Sequence, residues 1–62
     1  MSRKHYRQIA EILAADLAIA ATEAERRVVA NITRSLADVL KRDNSNFDRQ
    51  RFYRAVGIPW EA

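Results

Sequence analysis

Eight of the eleven basic residues in this 62-residue chain, Arg3, Lys4, Arg7, Lys41, Arg42, Arg49, Arg51 and Arg54, fall within positions 3–7 or 41–54. Cations at that density suit phosphate or an acidic protein surface, and the formal net charge is +3. Arg3, Lys4 and Arg7 stand where a helix begins, a place the helix dipole makes unfavourable for cations. Helix stability does not account for them; an anionic partner does. Phosphate contact through Arg3, Lys4, Arg7, Lys41 and Arg42 is therefore one expected binding mode. Base reading by a helix-turn-helix is not expected. The connector before the last helix lacks a tight glycine turn, and that helix commits Phe52 and Val56 to packing.

Catalysis finds less support in the residue types. His5 is the only histidine and lies near the N-terminus, so no nucleophile, base and orienting acid share a recognisable spacing. Gly57 is the only glycine, which removes a phosphate-cradling loop, and a lone histidine without cysteine leaves no structural zinc spacing. Most carboxylates read as helical i,i+4 partners: Arg7 with Glu11, Glu23 with Arg27, and Asp38 with Arg34 and Arg42. The expectation is a chain with no catalytic residues, no metal and no cofactor.

The elements that hold these side chains are helical. Tyr6, Leu13, Leu17 and Ala20 align with Ile9 on one stripe of a first helix over about 2–20. Ile12 and Ile19 lie on the other flank and predict a second apolar contact, a homodimer interface. Asp16 falls between the two flanks, where a carboxylate needs water or a partner such as His5. A second helix over about 22–43 opens on the capping box Thr22-Glu23-Ala24-Glu25. Val28, Ile32, Leu36 and Val39 form its amphipathic stripe, widened by Val29 and Leu40, and Lys41 and Arg42 close it at the negative end of its dipole. Because 17–23 contains neither Gly nor Pro, an uninterrupted helix over 2–43 is the alternative.

A third helix over about 48–56 has the clearest punctuation. Asp48 is a good N-cap, Phe47 can staple onto Phe52, Gly57 can take the left-handed conformation that ends a helix, and Pro59 forbids continuation. The architecture expected is all-α: an antiparallel hairpin, the short third helix folded across its open end, and two copies joined into a bundle as one small domain each. At this length only about 60% of the unfolded chain's surface is buried, and with no cysteine to form a disulfide, self-association is the remaining common support.

The run at 43–57 also resembles a pattern near the C-termini of small proteins encoded by phages of mycobacteria and their relatives, D-N-x-x-F-D-x-x-R-F-x-x-A-x-G. Asp43, Asn44, Phe47, Asp48, Arg51, Phe52, Ala55 and Gly57 carry the match. Ser45 stands where those proteins commonly have proline. The resemblance implies a phage origin and the host cytoplasm, not a mechanism.

No stretch approaches the ~20 apolar residues of a membrane helix, and Glu11 and Asp16 interrupt the apolar run that a signal peptide would need. Trp60 and Tyr53, beside Arg49, Arg51 and Arg54, are the expected anchors for a host or phage protein, because Trp, Tyr and Arg are enriched among interface hot spots. Nucleic acid is the competing partner.

Overall fold

Residues 3–59, the part described in this computed structural model, form three helices: α1 (Arg3–Ile19), α2 (Glu23–Asp43) and α3 (Arg49–Val56). The break between α1 and α2 needs no glycine. Thr22 is extended at φ −127° and ψ 162°, and its hydroxyl oxygen accepts from the Glu25 N–H at 3.1 Å. The Glu25 carboxylate in turn accepts from the Thr22 hydroxyl and from the Ala21 N–H, both at 3.1 Å. The reciprocal bond therefore reaches one residue further back than the usual box, to Ala21. This corner excludes the unbroken rod over 2–43.

α1 and α2 run antiparallel, and the Asn44 amide donates to the Tyr6 hydroxyl at 3.3 Å, tying the start of one to the end of the other. Lys41 holds the connector that follows. Its ammonium donates to the Ser45 carbonyl at 2.7 Å and the Phe47 carbonyl at 3.1 Å, while the Asn44 side chain accepts from the Asn46 N–H at 3.0 Å.

The punctuation of α3 follows the sequence closely. The Asp48 carboxylate accepts from the Arg51 N–H at 3.1 Å, and the Phe47 and Phe52 rings pack with centroids 5.4 Å apart. At the far end Gly57 has φ 102°, and the N–H groups of Gly57 and Ile58 both donate to the Tyr53 carbonyl, at 2.9 and 3.1 Å. A left-handed stop of this kind favours glycine because it has no Cβ to collide with the carbonyl.

The placement of α3 differs from the expected cap across the open end. Phe47 meets Tyr6 edge-on at 4.9 Å, whereas Gly57 lies beside Leu17, eleven positions further along α1. The third helix therefore lies lengthwise along one side of the hairpin. Small side chains make room for it: Ala10, Ala37 and Thr33 are the most completely buried residues, and the Thr33 hydroxyl is satisfied by the Val29 carbonyl at 2.8 Å. Leu13, Leu40, Phe47, Phe52, Tyr53, Val56 and Ile58 complete the core, with Tyr6, Ile9, Leu17, Ala30 and Leu36 partly buried around it.

This arrangement corrects the α2 stripe. Val28, Ile32 and Val39 remain 57%, 47% and 53% exposed, and the buried side of α2 is instead Thr33, Ala37 and Leu40. The apolar arc of α2 is broader than the core, and α3 selects its small-residue edge. On α1 the stripe through Tyr6, Ala10, Leu13 and Leu17 does face inward, while Ile12 and Ile19 are 64% and 79% exposed. Asp16 is exposed too and reaches water directly. Among the described residues, no helix is long and apolar enough to cross a membrane.

Candidate functional site

Two surfaces emerge, one aliphatic and one basic. On α1, Ile12 and Ile19 lie about 150° around the helix from the Tyr6, Ala10 and Leu17 side that meets α3. On α2, Ala30, Arg34, Asp38 and Lys41 face α3 or the connector, through the Ile58 and Pro59 cleft, the Arg49 ion pair and the Phe47 carbonyl. Val28, Ile32 and Val39 lie about 150° from that side. All five aliphatic residues thus share the face of the hairpin turned away from α3. Single exposed apolar side chains are ordinary on protein surfaces; five large branched ones on one two-helix face are not.

Local helix stability does not explain them. Ile and Val are poorer helix formers than the Ala, Glu or Lys that suit an exposed position, because their branched Cβ loses rotamer freedom against the preceding turn. They also repeat every seven residues, Ile12 to Ile19 and Ile32 to Val39, which is the spacing of a seam that packs against another helix.

The basic surface is a cleft of about 330 Å³ between the first two turns of α1, the connector and the start of α3. Arg3 and Arg7, one turn apart, and Arg51 stand at its wall, with Tyr6, Phe47 and Phe52 beneath and Asn44, Asn46 and Asp48 at the rim. Such a hollow offers guanidinium forks, amide donors and aromatic faces to an anionic group. A second cleft, of about 470 Å³, lies between α2 and the chain leaving α3, where Arg26, Arg27 and Arg34 meet Gly57, Ile58 and Pro59. The Arg26 and Arg27 charges were not expected to gather at a cleft. Helical wheel reasoning puts them on one side of α2, but only the path of 57–59 turns that side into a hollow.

The remaining expected residues divide sharply. Lys41 is engaged with the two connector carbonyls described above, so it stabilises the loop before it meets any phosphate. Arg49 is half-buried and bridges to Asp38 at 3.2 Å, drawing that carboxylate toward α3 and not only along α2. Glu23 and Arg27 approach to 3.9 Å as their spacing implies. Lys4, Arg42 and Arg54 are exposed, and none of the three lines either cleft.

Tyr53 is corrected from an exposed anchor to a core residue: only 5% of it is accessible, and its ring packs beside Phe52 with centroids 6.5 Å apart. The cause is the register of α3, which turns 52, 53 and 56 inward together. Trp60 lies outside the described residues. No three His, Asp or Glu side chains among the described residues converge as metal ligands.

Comparison with known protein families, with curated proteins and with solved structures gives no match. Three helices joined by an N-capped corner and a polar connector define the class, a small all-α protein with an aliphatic face and two arginine-lined clefts among its described residues.

Proposed function

We propose that this is a non-catalytic helical interaction module, a small phage-encoded accessory protein that works in the host cytoplasm by binding a protein of the host or the phage. The aliphatic face carries the reading: Ile12, Ile19, Val28, Ile32 and Val39 are exposed together on the side of the hairpin that α3 leaves open. Water contact with such a face is unfavourable at about 25 cal/mol per Å², and a docked protein surface removes it. The phage origin rests on the 43–57 run, Asp43 to Gly57, and the host compartment follows from that origin. Arg51 and Arg54, exposed on α3, offer charge for an acidic partner, with Arg49 fixed against Asp38.

A photo-crosslinking residue in place of Ile32, expressed in the host, tests the reading. A covalent adduct to a protein is expected from position 32 and not from position 50, an exposed site on α3. Irradiation that leaves only the free chain would defeat it.

The cleft lined by Arg3, Arg7 and Arg51 supports a second reading, in which the protein holds nucleic-acid phosphates. Neutralising about three phosphates predicts a slope near −3 for log affinity against log salt. In a gel-shift titration, duplex binding should therefore weaken steeply with salt and vanish in the double variant Arg7→Glu with Arg51→Glu. Mobility unchanged even at low salt disposes of this reading.

A further inference from the structure

We infer that the occupant of the aliphatic face is a second copy of this chain, packed hairpin on hairpin about a twofold axis so that α1 and α2 of each copy form a four-helix bundle and each α3 stays outside. This rests on the reading that the face docks a protein, and it names that protein. A seam repeating every seven residues calls for a helical partner, since helices that pack side by side present knobs at that interval. The hairpin carries two such seams, antiparallel to one another, one on Ile12 and Ile19 and the other on Val28, Ile32 and Val39. An antiparallel pair of seams is matched by the same pair turned over, which is the isologous contact most dimers use.

The area is of the right order. Five side chains that are 47% to 79% exposed present roughly 500 Å² of aliphatic surface, and a standard interface takes about 800 Å² from each partner. Flanking polar residues of the same two helices supply the difference. Asp16 and Ser35, both exposed on this face, put polar groups inside the patch, so the joint is mixed in the way of separable interfaces and not a second dry core. The monomer's own needs point the same way. Among the described residues the core holds nine apolar side chains, two of them alanine, and the chain has no cysteine with which to staple it.

Sedimentation equilibrium of the untagged protein at up to roughly 100 µM tests the inference. The wild type should weigh twice the 7.1 kDa of one chain. Ile32→Glu should raise the dissociation constant at least about 100-fold, because it removes an aliphatic knob from the α2 seam of each copy and adds two carboxylates to the two that Asp16 already brings to the joint. Since position 32 is half-exposed in one copy, circular dichroism of that variant should keep the wild-type helix content. Gln50→Glu, at an exposed position of the outward helix, should leave the mass at two chains. A wild type that stays monomeric throughout overturns the inference, as does equal dissociation of the Ile32 and Gln50 variants. Monomeric wild type that still yields an Ile32 adduct to a different protein removes the second copy alone; monomeric wild type without any adduct removes the docking reading as well.

Discussion

Phe52→Ala should leave the chain largely unfolded at room temperature. Phe52 is 4% exposed and joins Phe47, in the connector, to Tyr53 on its own helix, with ring centroids 5.4 and 6.5 Å away. Removing a buried phenylalanine costs about 3–5 kcal/mol, since transfer energy is lost and the cavity collapses only in part. A domain of this length holds in total about 0.05–0.15 kcal/mol per residue, so the single loss rivals the whole margin. The staple that fixes the entry of α3 goes with it, and Phe47 loses the neighbour that keeps it against Tyr6. Far-ultraviolet circular dichroism under urea is the measurement. A variant retaining most of its helix signal and a midpoint close to wild type would show that α3 is not what closes the core.

The devices that were legible in advance are those whose partners lie within five residues. Thr22 with Glu25, Asp48 with the Arg51 N–H, Phe47 with Phe52, and Gly57 with Tyr53 are all local geometry, and local geometry is what residue order encodes most directly. The helix boundaries follow from these caps. The exposure of Ile12 and Ile19 was also legible, because they stand on a flank of the α1 apolar face and not at the centre of its stripe.

What could not be read was the choice made within a broad apolar arc. On α2 the arc runs from Val28 round to Leu40, and periodicity locates its middle without saying which half meets the rest of the molecule. The deciding contact is tertiary: α3 lies lengthwise and enters where Thr33 and Ala37 let a backbone approach, so the bulky half of the arc is turned out. The same long-range contact buries Tyr53, which the local pattern left open to solvent, and lets Arg49 reach Asp38. Lys41 illustrates a different gap. It has the right charge for the negative end of α2, yet its ammonium reaches past that end to the Ser45 and Phe47 carbonyls, a role set by the path of the connector.

Ala37→Leu examines that choice on the buried side, where the expected loss is the second largest. Ala37 has no accessible surface and belongs to the core cluster, next to Asp38 and Lys41 on the side of α2 that meets α3 and the connector. Leucine adds three carbons at a junction that alanine already fills, and overpacking of this kind costs about 1–3 kcal/mol through displaced helices and strained rotamers. The backbone preference contributes almost nothing, because leucine is nearly as good a helix former as alanine. Ala18→Leu, at an exposed position of α1, is the matching control and should shift the urea midpoint little. Ala37 and Ile32 lie about 140° apart around α2, one toward α3 and the other toward the open face, so the two sites share no partner within the chain. The loss caused by Ala37→Leu should consequently have the same size in the wild-type and Ile32→Glu backgrounds, to within about 0.5 kcal/mol. A loss that disappears in the Ile32→Glu background would mean that Ala37 is sealed by the second copy and not by α3, and the two sides of the hairpin would have to be exchanged.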